Sequence, residues 1–368
     1  MTECQHDLSQ ARLRDSDNPF ERYFDLIPVK DRDLLPTAQM TPCVHATRLG
    51  QQLGLERLYL KNETANPTGT TKYRMAAVSL PYLYEAGVRH FCTSSTGNSS
   101  TAYAVAISGI PGLRMSLFTG RDFQHRVNYH ETDQVDHYVL EGASFAEAFE
   151  YAGVFAAEHG YTSERGFFNV GRREGLKLAW LEAVEQIPTP IDWYVQGVSS
   201  AMGVIGVAKG ARELLALGLT SQLPKLLCAQ QESCAPMVSA WTAGSPVIRP
   251  QDIVRQPSGI AMAILRGDPS RAYPYVYRAV QESGGEIRAA TQADILEAQA
   301  LVRDREGIEI CCSAATAVAA MVQRARLGLF RPDETILVNL TGSDRRDAHV
   351  PSDPRVMQRS GTGWVAAR

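Results

Sequence analysis

Four turns along the chain carry residues whose types and spacing could do chemistry together. The first is Asn66-Pro67-Thr68-Gly69-Thr70-Thr71-Lys72-Tyr73-Arg74, directly downstream of the apolar run Leu58-Tyr59-Leu60. A strand, a tight Pro/Gly turn and a helix start would hold the Lys72 amine on rigid elements, aimed into a cleft. Such an amine can form a Schiff base with an aldehyde cofactor. A solvated lysine at a helix start fits this segment, taken alone, equally well.

The second is Ser94-Ser95-Thr96-Gly97-Asn98-Ser99-Ser100. A glycine among hydroxyls at a helix N-terminus presents backbone N–H groups and the helix dipole to an anion. That makes Ser95, Thr96, Gly97 and Ser99 a candidate clamp for a substrate carboxylate, with Asn98 a candidate partner for a cofactor ring hydroxyl. An ordinary Ser/Thr-rich cap is the competing reading. The third runs from Tyr194-Val195-Gln196-Gly197 through Val198-Ser199-Ser200-Ala201-Met202-Gly203 to Gly206. A strand, a small-residue loop and a helix can hold a phosphate on backbone amides. The loop is neither a Walker A sequence, lacking its GK[ST] ending, nor a strict GxGxxG. The fourth is Ile336 to Asp344, where Thr341 at a strand end could face a ring nitrogen. A hydroxyl there, unlike a carboxylate, leaves the nitrogen largely unprotonated and suits elimination and replacement better than transamination. A Thr-Gly turn ending a strand is the plain alternative. Each signal is modest; their joint occurrence in this order is what speaks for a site.

The elements that must position these turns alternate. Strands are expected at Arg57–Lys61, His90–Thr93, Arg114–Thr119, Tyr138–Glu141, Trp193–Val198, Leu226–Gln230 and Thr335–Leu340. Helices are expected at Tyr73–Ala86, Ser99–Ser108, Ser144–His159 and Val204–Leu217. Such alternation implies right-handed βαβ units and an α/β fold with a mainly parallel sheet. In that architecture ligands collect beyond the carboxyl ends of the strands, where all four motifs lie. Residues 1–35 are charged and weakly periodic and read as a surface arm or cap.

At 368 residues the chain exceeds one core's natural size, and its 44% hydrophobic content is enough for two. A net charge of −3 offers no basic field, which argues against nucleic acid or an anionic membrane as partner. No apolar run approaches a membrane span, and the N-terminus lacks the order of a secretory signal. The seven cysteines are scattered without CxxC spacing, as expected of reduced thiols in a cytoplasmic protein. The Asn-x-Ser/Thr matches at Asn62, Asn98 and Asn339 lie inside the motifs and read as chance. His125, His130 and His137 lack the spacing of a metal site, and no metal is expected. Arg172-Arg173 with Lys177 could bind a phosphate or sulfonate or form surface salt bridges, and Arg345-Arg346 carry the same ambiguity.

Taken together, the segment from Lys61 to Arg74, the Ser95-Thr96-Gly97-Asn98 loop and Leu340-Thr341-Gly342 resemble the motifs of threonine synthases. These are pyridoxal-phosphate (PLP) enzymes of the tryptophan-synthase β-like family. The cysteate-synthase-like branch is the nearest match, through Asn169-Val170-Gly171-Arg172-Arg173-Glu174-Gly175-Leu176, Tyr194-Val195-Gln196, Ala229-Gln230-Gln231, Ala235 to Trp241, Pro274-Tyr275 and Glu306-Gly307-Ile308. The likeness runs from about Leu35 to Asp347. It implies a fold-type-II enzyme, commonly dimeric, with two three-layer αβα domains of mainly parallel sheets. The larger, PLP-binding domain would comprise residues 36–84 and 191–368, and a small mobile domain residues 85–190. Lys72 would bind PLP and act as base, Asn98 would meet its ring hydroxyl, and Ser199, Ser200, Ala201, Met202 and Gly203 its phosphate. Thr341 would face its nitrogen. Three positions depart from the family pattern: Tyr73 replaces the usual aspartate, Ser199 and Ala201 replace glycines, and Met202 stands where a small polar residue is usual.

The implied reaction removes the α-proton of a small-molecule amino-acid substrate, expels a leaving group and adds a nucleophile. For cysteate synthases this is sulfite acting on O-phosphoserine. Threonine synthesis from O-phosphohomoserine and a serine/threonine dehydratase-type elimination are the enzymatic alternatives. An inactive homologue that senses amino acids is the alternative outside catalysis.

Overall fold

The computed structural model describes residues 3–344, 349–361 and 363–367; Arg345 and Arg346 lie outside the described residues. The strands in chain order are β1 (Cys43–His45), β2 (Arg57–Asn62), β3 (His90–Ser94), β4 (Arg114–Gly120), β5 (Val135–Leu140) and β6 (Thr162–Ser163). They continue as β7 (Trp193–Gly197), β8 (Lys225–Gln231), β9 (Glu286–Ala290), β10 (Thr335–Leu340), β11 (Arg355–Ser360) and β12 (Gly363–Ala366). They form two six-stranded sheets in an α/β fold, each mostly parallel and flanked by helices.

Packing divides the chain into two units. The first comprises the described parts of 1–39, 72–175 and 345–368, and the second residues 40–71 and 176–344. The sequence expectation placed these boundaries at 85 and 190 and kept the C-terminus with the larger domain. The packing division instead groups the helix Lys72–Glu85 and the C-terminal hairpin with the first unit.

In the first unit the sheet order is β12-β11-β5-β4-β3-β6, parallel except for the β11–β12 hairpin. Phe118, Tyr138 and Leu140 from the strands pack with Ala148, Ala152 and Ala156 of the helix Phe145–Glu158. Alanines at a spacing of four give that helix a flat face against the sheet. Ser144 and Glu147 close a reciprocal capping box at its start. Met357 and Trp364 of the hairpin join the same core. The N-terminal segment is more than a surface arm: Phe20, Tyr23 and Leu26 are buried, and the Phe20 ring meets Tyr73 edge-on with centroids 6.4 Å apart.

In the second unit the order is β1-β2-β10-β7-β8-β9, parallel except for the β1–β2 pair. Every residue of central β10 is buried, as a parallel strand covered on both faces requires. Its core brings Leu58, Leu60, Val195, Leu227, Ile336 and Val338 against the alanine-rich helix Cys312–Arg326. Among the described residues no helix is long and apolar enough to cross a membrane.

Candidate active site

The turn before Lys72 is built on the end of β10. The Thr71 N–H donates to the Thr341 carbonyl at 2.9 Å, Ser343 N–H donates to Gly69 O at 3.0 Å, and Thr70 forms an isolated bridge with Gly342. Gly69 has φ +68°, a left-handed conformation that glycine adopts without strain. A buried polar network holds the turn from below. Lys61 Nζ donates to Glu182 at 2.7 Å, Thr41 Oγ1 donates to Glu63 at 2.6 Å, and Asn66 Nδ2 donates to Glu63 Oε2 at 3.0 Å.

Lys72 itself is the first residue of the helix Lys72–Glu85 and is partly buried. Burial, and after it the positive charge of Arg172, pull its amine from the ordinary 10.5 down to about 8. Two glycines allow this pairing of helices. A Cβ at Gly171 would lie 2.6 Å from Ser79 Cα, and one at Gly175 would lie 2.2 Å from Arg74 O. Only the absent side chains let the start of the helix Val170–Gln186 lie against the lysine helix.

Arg172 is not a surface residue: it is 4% exposed and forks onto Glu164, with Nε and Nη2 each 2.5 Å from a carboxylate oxygen. Tyr103 OH and Asn169 Nδ2 both donate to Glu164 Oε1 at 2.8 Å, and the Gly166 N–H donates to Oε2 at 3.1 Å. The remaining arginine nitrogen, Nη1, donates to Ser99 Oγ at 3.5 Å. Arg173 is equally buried and donates to Phe167 O at 2.5 Å. The buried Arg172–Glu164 pair therefore links the Ser95–Ser99 turn to the environment of Lys72 within the first unit.

In that turn Ser95 Oγ accepts from the N–H groups of Gly97 (3.1 Å) and Ser100 (2.9 Å). The Ser95 hydroxyl thus builds the turn, while Asn98 opens the helix Asn98–Ala106 and Thr96 stands partly exposed beside it. Gly97 has φ +126°, and a Cβ there would lie 2.7 Å from both Cβ and O of Arg126. No other residue fits that position without displacing Arg126.

In the second unit β7 ends at Gly197, and the turn Val198–Ala201 leads into the helix Met202–Ala216. Ala201 adopts φ +56°, one of two non-glycine residues in the left-handed region among those described. A left-handed residue at a helix start turns successive N–H groups to one side, the geometry of a backbone anion nest. Ser199 is partly exposed and Ser200 buried. Gly203 lies on the Gln196 amide, where a Cβ would come within 2.8 Å of Oε1. Gln196 is braced in turn: Tyr194 OH donates to its Oε1 at 2.6 Å, and Asn339 Nδ2 donates to Tyr194 OH at 2.7 Å. Asn339 is thus a buried structural amide. Thr341 follows β10 directly, and Cys311 N–H donates to the carbonyl of the next residue, Gly342, at 3.0 Å.

Glu164, Tyr103 and the bracing role of Gln196 carried no signal of their own in the sequence. The Gly171-x-x-x-Gly175 spacing is the one local clue to the close helix approach. Of the histidines, His137 Nε2 pairs with Thr119 Oγ1 at 2.8 Å and His130 stacks on His349.

A family model described as pyridoxal-phosphate dependent enzyme matches residues 34–342. Threonine synthase of Methanosarcina acetivorans is 30% identical over 339 residues, covering 91% of this chain and 80% of that protein. Cysteate synthase of Methanoregula boonei is 29% identical over 335 residues, covering 87% and 78% respectively. Maize serine racemase shares the fold, with a TM-score of 0.68 at 19% identity over 84% of this chain and 89% of that one. The chain belongs to the PLP-dependent enzyme family, as a fold-type-II member of the branch related to threonine and cysteate synthases. It stands among PLP enzymes of the lyase and transferase type. Each unit, taken by itself, holds a feature that suits such a cofactor: in the first a lysine amine of depressed basicity that can meet an aldehyde, in the second a turn at a helix start whose backbone N–H groups can meet a phosphate.

Proposed function

We propose that the protein catalyses β-replacement on an O-activated amino acid, in the leading case O-phosphoserine plus sulfite giving cysteate and phosphate. The observation that carries the reading is Lys72, a helix-borne lysine whose amine is brought to about 8 by burial and Arg172. PLP, when bound, supplies the electron sink that acidifies the α-carbon of an attached amino acid. Lys72 would hold the cofactor through its amine and, when that amine is free, would take the α-proton; a pKa near working pH suits both roles. The Ser95–Ser99 turn, with Thr96 and Gly97, orients the substrate carboxylate, and Asn98 meets the cofactor hydroxyl. The turn Ser199-Ser200-Ala201-Met202-Gly203 holds the cofactor phosphate. Thr341 would offer a hydroxyl to the ring nitrogen, which would favour elimination and replacement over transamination.

Threonine formation from O-phosphohomoserine is the second reading, favoured by the 30% identity to a threonine synthase. Phosphate release decides between them, measured on the purified PLP-loaded enzyme with each phosphate ester, with and without sulfite. Release from O-phosphoserine that yields cysteate only when sulfite is present supports the first. Release from O-phosphohomoserine alone, yielding threonine, replaces it with the second. Silence with both esters overturns both and moves the search to acetyl, succinyl or free-hydroxyl donors.

A further inference from the structure

A loop of the second unit, residues 254–268, has no part in the roles above, yet it is tightly pinned. Its ends meet where Val254 N–H donates to Gly267 O at 3.0 Å. A Cβ at Gly267 would lie 1.8 Å from Val254 O, so only glycine closes the loop. Ser233 Oγ donates to Ser258 O at 2.6 Å, Ala261 N–H donates to Gln231 Oε1 at 2.8 Å, and Ala263 N–H donates to Ser313 Oγ at 3.2 Å. Gln231 is the last residue of β8. Ser313 lies in the first turn of the helix Cys312–Arg326, which Cys311 ties to Gly342 just beyond β10. A Cβ on Gly197, at the end of β7, would meet Ser313 O at 2.5 Å. The loop therefore sits at the carboxyl ends of three parallel strands, where α/β sheets gather their ligands.

Arg266 stands at the closing stem of this loop, next to Gly267. The side chain is only partly exposed, and its Nε donates to Asp268 O at 3.1 Å. That bond fixes the guanidinium plane. The Asp268 carboxylate is engaged by Ser270, accepting from its N–H at 2.9 Å and its hydroxyl at 2.5 Å. Among the described residues Arg266 forms no ion pair with a carboxylate, in contrast to Arg172, whose charge is already matched by Glu164. Burial lowers the pKa of Arg266, Asp268 opposes this and Arg271 adds to it. A half-buried arginine on a pinned loop, oriented by a backbone carbonyl, is suited to fork two N–H groups onto an oxyanion.

We propose that Arg266 is a specificity-determining residue that binds a tetrahedral oxyanion of the substrates, such as a phosphate-ester leaving group or a sulfur oxyanion nucleophile. The inference rests on the β-replacement reading for its substrate class, but the anion site itself can be tested apart from it. The probes are inorganic phosphate and sulfate, titrated calorimetrically into the PLP-loaded protein. The wild-type protein is expected to bind them, and Arg266→Met to bind at least about 30-fold more weakly, with Arg266→Lys between. Arg303→Met, on an exposed part of the helix Gln292–Glu306, controls for loss of one positive charge and is expected to bind as wild type.

Affinity for L-serine, which carries no phosphorus or sulfur oxyanion, is expected to be the same in Arg266→Met and wild type. Phosphate competing with the amino-acid ester assigns the anion to the leaving group; sulfate competing with sulfite assigns it to the nucleophile. The proposal is overturned if wild type binds neither anion, if Arg266→Met binds them undiminished, or if Arg303→Met or L-serine affinity falls equally. A failure of the PLP reading would show separately, as a wild-type protein without the visible absorbance of lysine-bound cofactor.

Discussion

The N–H of Thr71 donates to the carbonyl of Thr341 at 2.9 Å, so the residue before Lys72 is hydrogen-bonded to the residue just beyond β10. Two motifs separated by 270 positions thus form one backbone structure. The bond uses the main chain of Thr341 and leaves its hydroxyl available for chemistry. Gly342 seals the arrangement, since a Cβ there would lie 2.7 Å from Thr70 Cγ2 and 2.9 Å from Gly69 O. Gly342→Val is expected to displace the turn and lower turnover about 100-fold, the usual cost of a misplacement near 1 Å. Thr341→Ala keeps the backbone bond and is expected to retain PLP while slowing the reaction. Absorbance of bound PLP alongside steady-state rates separates the two effects.

Lys72→Ala is expected to abolish covalent PLP, seen as loss of its visible absorbance, and to lower turnover about 1,000-fold or more. Wild-type spectrum and rate in this variant would remove the lysine from the mechanism. The amine also leaves a mark on stability. Its folded pKa, about 8, lies below the ordinary 10.5, so between those values the unfolded chain holds a proton that the folded one has released. Stability of the PLP-free protein should therefore rise with pH across that window, and Lys72→Met should remove the rise. Chemical denaturation at a series of pH values measures both.

Arg172→Met strips a positive charge from the surroundings of Lys72, so the lysine's pKa should rise and the pH dependence of its labelling by an acylating reagent, measured on the PLP-free protein, should shift to alkaline values. Left without its partner, buried Glu164 should destabilise the protein by about 3–5 kcal/mol. The double variant Glu164→Gln/Arg172→Met is expected to recover most of that stability while keeping the Lys72 shift. If the double variant is no more stable than the single one, the pairing does not matter as described.

His137 supplies an acid-side prediction. Burial drives its pKa to about 4 from the ordinary 6.5, and its Nδ1 has no hydrogen-bond partner among the described residues. The unfolded chain takes up a proton between those values that the folded chain refuses, so stability is lost as pH falls from 6.5 towards 4. His137→Gln, which can still bond Thr119, should flatten that fall. Thermal melting between pH 7 and pH 4 is the measurement, and an unchanged slope would assign acid sensitivity elsewhere.

The strands and helices around the motifs were legible because their signals are local. The apolar run of β10 and the capping residue Ser144 need only their neighbours to be read. β9 (Glu286–Ala290) was not, since Glu-Ile-Arg-Ala-Ala has neither clean alternation nor an apolar run. The hairpin of β11 and β12 was hidden because its strands are short and mostly exposed, and neither Arg-Val-Met-Gln-Arg-Ser nor Gly-Trp-Val-Ala shows a clean alternation. Lys72 could be singled out because Pro67 and Gly69 mark its turn. Glu164 could not: its partners Tyr103, Asn169 and Arg172 meet it only through tertiary packing, and a glutamate in a loop looks like any solvated acid.

The C-terminal hairpin also bears on how the protein is made. Met357 and Trp364 enter a core whose other members lie between Cys92 and Ala156. During synthesis the first unit cannot complete that core until the ribosome has translated past Trp364, after the segments of the second unit have already emerged. The nascent chain must therefore hold an apolar surface open over some two hundred residues of elongation, and that interval is where chaperone demand and aggregation should concentrate.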